Sequence, residues 1–221
     1  MTQLEQAVET LAAEPRLDLY IARLQALLRE EQEHREIFHR NLEQYEGRKV
    51  EFIHGDLIEA MPVKQEHNDI TGNLLELLRR FVKLHALGLV GFEKLMISLS
   101  RNDYEPDICF WGSTKSDLFT KKQMRFPAPD FVAEVLSPST AKRDRGVKFK
   151  DYAASGVAEY WIIDPDAEVI EQYVLDGDDY ALHAKLGKGL IASIAVQGFE
   201  IPVRDVFDEA EHTQALRKIL G

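Results

Sequence analysis

The sequence predicts an α/β fold in which strands and helices alternate along most of the 221 residues. Short apolar runs, typical of strands inside a sheet, occur at residues 107–111, 130–136 and 160–164. Apolar residues at three- and four-residue steps, typical of amphipathic helices, occur at residues 16–44 and 66–86. A chain of this length can bury one substantial core, so we expect a single domain with an appendage.

Composition and charge restrict the classes of function. The net charge of -11 and the isoelectric point near 5.1 argue against a nucleic-acid binder whose entire surface is basic. The single cysteine, Cys109, excludes an internal disulfide and is typical of a reducing compartment. The sequence has no apolar run long enough to cross a membrane and no signal segment. We therefore expect a soluble, cytoplasmic protein without a membrane partner.

The first part of the chain is a predicted N-terminal helical extension. Residues 1–14 give a weak helical pattern that ends at Pro15, and residues 16–44 give one long helix. An apolar stripe from Leu17 to Leu28 runs along this helix, which is otherwise mostly charged. Such a helix needs a partner for its stripe. We expect the stripe to be buried on the main domain or, as we favour, across the two-fold axis of a homodimer.

From Arg48 onward the apolar period changes from helical to strand-like. Val50 and Phe52 alternate with polar residues before a turn at His54-Gly55-Asp56, which predicts a hairpin that ends at Pro62. The remaining predicted elements are a helix at 66–86, strands at 89–100 and 107–111, a polar loop at 112–129, a strand at 130–136, a helix at 145–155, strands at 160–164, 169–175, 180–184 and 190–196, and a C-terminal helix from about 209.

Two carboxylates lie inside apolar strand patterns. Asp107 follows Pro106 at the start of one run, and Glu134 lies in the middle of another. A buried charge is unfavourable unless it is paired or binds a metal. Two carboxylates that meet a lysine would form a site for a hard divalent cation and a phosphate, as in a metal-dependent nuclease. Two structural alternatives remain open: a turn after proline for Asp107, and a core ion pair for Glu134.

Positive charge is concentrated in two segments. Residues 142–151 contain five basic and two acidic side chains, and residues 115–125 contain four basic and one acidic, so each segment carries a net charge of +3. Lys142, Arg143 and Arg145 are therefore candidates for binding substrate phosphate. The alternative is that both segments are ordinary solvated faces of a helix and a loop.

The sequence also carries a longer motif. It comprises Pro129-Asp130-Phe131-Val132-Ala133-Glu134-Val135-Leu136-Ser137-Pro138-Ser139-Thr140, followed by Arg143-Asp144-Arg145, Lys148, Tyr152, Gly156-Val157, Glu159-Tyr160-Trp161 and Ile163-Asp164-Pro165. This pattern resembles the PD-(D/E)XK nuclease superfamily and, more closely, the bacterial family described as putative restriction endonucleases. The resemblance covers about residues 45–205. It implies a restriction-endonuclease-like core with a mixed central sheet flanked by helices at residues 45–221, preceded by the extension at 1–44.

The resemblance implies a set of site residues. Asp107, Glu134 and the backbone carbonyl of Val135 would bind Mg²⁺ or Mn²⁺. The lysine expected two residues after the glutamate is replaced by Leu136, and the resemblance points instead to Lys148 in the following helix.

Other polar residues near the motif are weaker candidates. Lys150 is the rival of Lys148, but a helix turns about 200° over two residues, so only one of them can face the site. His67, at a position where similar proteins carry a histidine, is either at the edge of the metal site or a partly exposed helix residue. Asp130 lies about 13 Å from Glu134 along a strand, too far to share a metal. A surface ion pair between Asp144 and Lys148 is the alternative to a catalytic role for Lys148.

The function that these residues predict is metal-dependent hydrolysis of phosphodiester bonds in nucleic acid, with DNA as the expected substrate. Lys148 would orient the attacking water and stabilise charge on the phosphate. The rival prediction is a catalytically inactive nuclease-fold dimer that acts as a binding or regulatory module. The displaced lysine, the acidic surface and the long N-terminal helix favour that rival. No Gly-rich phosphate loop supports a nucleotide-binding enzyme.

Overall fold

The computed structural model describes residues 3–220, with side chains described for residues 5–218. Residues 1, 2 and 221, which belong to the predicted extension and domain, lie outside the described residues. In chain order the elements are α1 (Gln3–Ala12), α2 (Leu17–Arg40), a 3₁₀ turn (Leu42–Tyr45), β1 (Val50–Ile53), β2 (Asp56–Glu59), α3 (Gln65–Leu84), β3 (Gly88–Phe92), β4 (Met96–Ser98), β5 (Asp103–Tyr104), β6 (Ile108–Gly112), α4 (Ser113–Ser116), β7 (Arg125–Phe126), β8 (Phe131–Val135), α5 (Ala141–Asp144), α6 (Val147–Ala154), β9 (Glu159–Asp164), β10 (Val169–Asp176), β11 (Asp179–Leu186), β12 (Leu190–Ala192), β13 (Glu200–Pro202), α7 (Arg204–Phe207) and α8 (Glu209–Leu220).

The central sheet has six strands in the order β11-β10-β9-β8-β6-β3. β8 and β9 run parallel and the other neighbouring pairs run antiparallel, so the sheet is mixed, as predicted. α3 covers one face, because Ile70, Leu74 and Leu77 recur at helical spacing and are buried in one core with Phe131 and Trp161. The C-terminal helices α7 and α8 pack against α3.

A second sheet covers the opposite face, with the strand order β2-β1-β5-β4-β7, together with α6. Side chains alternate along a strand, so Val132 and Glu134 of β8 face this layer, whereas Phe131 and Ala133 face α3. A polar side chain on this face is therefore enclosed between two layers. This arrangement positions the candidate site.

The structure differs from the prediction at several places, including the unpredicted short elements β5, β13 and α7 and two longer regions. The expected strand at 89–100 is divided into β3 and β4, which belong to different sheets. Glu93 and Lys94 separate them with φ angles of 27° and 50°, a backbone conformation that is uncommon outside glycine and that redirects the chain. The predicted loop at 112–129 contains the short helix α4 and the strand β7, which pairs in parallel with β4.

The long helix α2 contacts the domain only through its C-terminal part. Phe38 is buried with Val50, Phe52 and Met96. The apolar stripe nearer the N-terminus stays open to solvent. Its exposed residues are Tyr20, Ile21, Leu24, Leu27 and Leu28, with exposed fractions of 39–49%. The expectation that this stripe is buried on the main domain is therefore wrong. Within residues 3–220, no helix is long and apolar enough to cross a membrane.

Candidate metal and catalytic site

The two predicted carboxylates meet on the enclosed face of the central sheet. β6 and β8 pair antiparallel with Ile108 opposite Ala133, and continuing that register by one residue places Asp107 beside Glu134. The amide of Asp107 donates to Glu134 Oε2 at 3.3 Å, and the amide of Val135 donates to Asp107 Oδ2 at 2.9 Å. Both carboxylates are almost fully buried. Adjacent strands therefore bring Asp107, Glu134 and Val135 together.

Lys148 reaches this pair from α6. Its Nζ lies 2.9 Å from Glu134 Oε1, 2.8 Å from Glu51 Oε1 and 3.4 Å from Asp144 Oδ1. The ion pair with Asp144 has the predicted i,i+4 spacing, but both side chains are buried, so it is not a surface pair. Tyr152, one helical turn further on, donates its hydroxyl to Glu134 Oε1 at 2.9 Å.

Asp107 has two additional partners. Lys49 Nζ lies 2.8 Å from its Oδ1, and His67 Nε2 lies 3.3 Å from its Oδ2. His67 is only 5% exposed, and its Nδ1 is buried without a hydrogen-bond partner in the described part of the chain. His67 is therefore a buried residue beside Asp107 and not a partly exposed helix histidine, which was the alternative.

The site has an excess of negative charge. It holds two lysines, Lys49 and Lys148, and four buried carboxylates. The carboxylates are those of Glu51, Asp107, Glu134 and Asp144. The formal charge of this cluster is -2 with His67 neutral and -1 with it protonated. Burial disfavours the charged imidazole, but the hydrogen bond and charge of Asp107 outweigh burial and raise the pKa of His67.

The pKa values of the two central carboxyls diverge. Burial raises the pKa of Glu134 to about 7, and the charges of Asp107 and Asp144 add to this effect while Lys148 opposes it. Burial also disfavours the charged form of Asp107, but its hydrogen bond to His67 and the charge of Lys49 outweigh burial, so its pKa falls below the usual range. Asp107 is therefore the firmly ionised member of the pair, and Glu134 is the member that most needs a compensating cation.

These groups line a cleft of about 420 Å³ that opens between the hairpin β1–β2 and the segment after β8. Arg143 also lines it, and its Nε is buried without a partner in the described residues. The other predicted cations lie outside the cleft lining: Lys142 and Lys150 are exposed, and Arg145 is paired with Glu171 at 2.5 Å. Of the three proposed phosphate binders, the structure places only Arg143 in the cleft.

The donor set suits a hard divalent cation. Asp107 and Glu134 supply carboxylate oxygens beside the Val135 backbone, and a cation would compensate the excess negative charge of the cluster. No group of three or more His, Cys, Asp or Glu side chains among residues 3–220 has the arrangement of a preformed metal site. Two side chains and one carbonyl would leave the other coordination positions to water and substrate, which is usual for Mg²⁺.

Sequence reasoning missed three residues of the cluster: Lys49, Glu51 and Tyr152. Glu51 lies between Val50 and Phe52, and alternation alone would turn it toward solvent. It is buried because α6 and the central sheet cover that side of β1. Tyr152 could have been predicted from the sequence, because it follows Lys148 by four residues and therefore lies on the same face of the helix.

A mixed sheet with two acidic residues on neighbouring strands and a lysine on the next helix defines the restriction-endonuclease-like class. A family model described as Uma2, putative restriction endonuclease, matches residues 35–204. The chain belongs to this family. The match begins about ten residues before the start that the motifs indicated and includes the end of α2, where Arg35 and Phe38 contact the domain.

Known proteins that are similar to this chain include an uncharacterized protein and a solved putative nuclease. A protein of Synechocystis sp. (strain ATCC 27184 / PCC 6803 / Kazusa), named as the uncharacterized protein sll1609, is 32% identical over 133 residues, which cover 59% of this chain and 74% of that protein. The crystal structure of a putative nuclease belonging to DUF820 from Anabaena variabilis ATCC 29413 has a TM-score of 0.62 and 19% identity, covering 72% of this chain and 89% of that one. This second likeness supports the fold.

Proposed function

We propose that this protein is a divalent-metal-dependent nuclease that hydrolyses phosphodiester bonds, with DNA as its substrate and Mg²⁺ or Mn²⁺ as its cofactor. The observation that carries the proposal is the buried cluster at the base of the cleft, in which the carboxylates of Glu51, Asp107, Glu134 and Asp144 outnumber the two lysines that contact them. A buried excess of this kind is unfavourable unless protons or a cation compensate it.

Each residue of the site has a role in this proposal. Asp107, Glu134 and the Val135 carbonyl hold the cation. When bound, the cation would lower the pKa of a coordinated water molecule and offset the negative charge of the phosphate. Lys148 changes role relative to the sequence-based prediction: its contacts with three carboxylates suit it to fixing Glu134 rather than to orienting water. Arg143, unpaired at the cleft, binds a substrate phosphate, since guanidinium groups favour that geometry.

The test of this function is a cleavage assay with purified protein. We expect cleavage of DNA in Mg²⁺ or Mn²⁺ and none in EDTA, with RNA as the parallel substrate. Cleavage of RNA alone would correct the substrate. Tight binding of DNA without cleavage in either metal would contradict catalysis and favour the rival function, a nuclease fold that serves as a binding or regulatory module.

We also propose that the protein is a cytoplasmic homodimer that pairs through the apolar stripe of α2. Contiguous apolar patches on a soluble surface are typical of interfaces, and a two-fold axis lets one helix stripe cover its own copy. The buried single cysteine, Cys109, is compatible with a reducing compartment.

Replacing Leu24 and Leu28 together with glutamate is expected to convert the dimer to a monomer, because the charges would be buried at the pairing surface. Analytical ultracentrifugation measures the change. Leu118→Glu is the matched control, since Leu118 is 79% exposed and lies outside the stripe. An unchanged sedimentation coefficient for the double variant, or a monomeric wild type, would contradict this assembly.

A further inference from the structure

The two lysines of the site differ in what surrounds their ammonium groups. The Lys148 side chain is 4% exposed, whereas that of Lys49 is 22% exposed at the cleft. Lys148 has the carboxylates of three residues around it, at 2.8, 2.9 and 3.4 Å. Lys49 has one, Asp107, at 2.8 Å.

Enclosure of the ammonium group, together with its hydrogen bonds, separates the two lysines. An ammonium group has three N–H donors. Lys148 Nζ donates to Glu134 Oε1, lies 2.8 Å from Glu51 Oε1 and is further enclosed by Asp144 and by the Tyr104 ring, whose centroid is 5.6 Å away, so its ammonium group has no open side for a ligand. Lys49 spends one donor on Asp107 Oδ1 and has no second acceptor within hydrogen-bonding distance in the described part of the chain. Two donors of Lys49 are therefore available to the cleft.

Lys49 is also held in place on both sides. Its backbone carbonyl accepts a hydrogen bond from the amide of Ala60 at 2.9 Å, which closes the hairpin β1–β2. Its side chain is fixed by Asp107, the carboxylate that belongs to the proposed metal site. A donor that is fixed before substrate arrives stabilises developing charge more effectively than a mobile one.

We propose that Lys49, rather than Lys148, is the lysine that donates hydrogen bonds to the scissile phosphate, and that Lys148 is a positioning residue for Glu134 and Glu51. The proposal rests on the proposed nuclease function. The motif expects a lysine at position 136, where this chain has Leu136. In this proposal Lys49, which directly precedes the hairpin β1–β2, takes the place of that lysine, and Lys148 of α6 does not.

The first test does not depend on activity. Reductive methylation followed by mass spectrometry measures the access of each lysine amine. We expect Lys49 to be methylated in the free protein and protected by a short DNA duplex in Ca²⁺, and Lys148 to stay unmodified in both states. Methylation of Lys49 that is the same with and without bound duplex would overturn the proposal, even if the wild type cleaves DNA.

The second test is kinetic. Lys49→Ala is expected to lower kcat about 100-fold, the usual loss for one preorganised donor, with Mn²⁺ binding retained in calorimetry and with partial recovery in Lys49→Arg. Lys94→Ala is the matched control, because Lys94 lines the same cleft, is exposed and contacts no carboxylate of the cluster. Its loss should affect KM more than kcat.

The outcomes distinguish the role of Lys49 from the nuclease function itself. If the wild type cleaves DNA and Lys49→Ala keeps its kcat within about threefold, the role of Lys49 is overturned while the nuclease function stands. If the wild type cleaves nothing, the nuclease function fails. In that case, protection of Lys49 by DNA would still support its phosphate contact, and a lack of protection would overturn it.

Discussion

Asp107→Asn is expected to lower the rate of metal-dependent DNA cleavage about 10³-fold or more, because it removes the firmly ionised carboxylate of the site. Glu134→Gln should have a similar effect. Both substitutions keep the shape of the side chain but break a buried ion pair, so each variant is also expected to be less stable and is assayed well below its melting temperature. Gel-based cleavage kinetics measure the loss, and circular dichroism checks the fold.

Asp130→Asn is the matched control for this prediction. Asp130 also follows a proline at the start of a strand, but it pairs with Lys115 at 2.7 Å and accepts a hydrogen bond from the Gly112 amide at 2.8 Å. It does not line the cleft. Its substitution should change the cleavage rate only a few-fold. Equal losses in the Asp107 and Asp130 variants would contradict the assignment of the site.

The second large effect concerns stability. Asp103→Asn is expected to destabilise the protein by about 3 to 5 kcal/mol, the range for breaking a buried ion pair. The Asp103 carboxylate is fully buried and accepts hydrogen bonds from Arg35 at 2.7 and 2.9 Å and from Ser98 at 2.6 Å. This cluster holds the C-terminal part of α2 on the domain. Urea denaturation measures the change in free energy of unfolding.

The Asp103 contribution should depend on pH. Burial disfavours the charged carboxylate, but the hydrogen bonds and charge of Arg35 outweigh it, so the pKa in the folded protein is below its ordinary value. The stabilisation is therefore complete above the unfolded pKa of about 4 and is lost as the pH falls through the lower folded value. Unfolding measured from pH 6 downward should show this loss in the wild type and a smaller one in Asp103→Asn.

Arg101→Ala is the control for the stability prediction. Arg101 also joins α2 to the domain, because its Nη2 donates to Glu31 Oε1 at 2.7 Å and its Nε to Oε2 at 3.1 Å, but its side chain is 48% exposed. Exposed ion pairs contribute about 1 kcal/mol or less. If Arg101→Ala destabilised as much as Asp103→Asn, burial would not be the reason that the Asp103 cluster matters.

The sequence made the central part of the site predictable. Asp107 and Glu134 stand out because they are charged residues inside apolar strand runs, where a charge requires a partner. Helical geometry separates Lys148 from Lys150, and the structure has the first buried and the second exposed. The strands β6, β8 and β9 follow from the same runs, but their order in the sheet was not predicted.

The rest of the site depends on non-local pairing. Lys49 and Glu51 join the cluster only because β1 lies beside β5, a two-residue strand that no local pattern predicted. The break between β3 and β4 at Glu93 and Lys94 could not be predicted either, because both residues have a positive φ angle, which glutamate and lysine rarely adopt. Neither feature has a signature within a few residues of itself, so sequence periodicity could not reveal it.

Titration calorimetry of Mn²⁺ into the metal-free protein is the most direct test of the proposed site, because the proposed function requires Asp107 and Glu134 to hold a divalent cation. We predict binding of an ion in the wild type and its loss in the double variant Asp107→Asn/Glu134→Gln. Binding near pH 7 should also release part of a proton, since Glu134 has a pKa of about 7 and must ionise to bind the ion. No binding heat in the wild type, or equal binding in the double variant, would contradict the account.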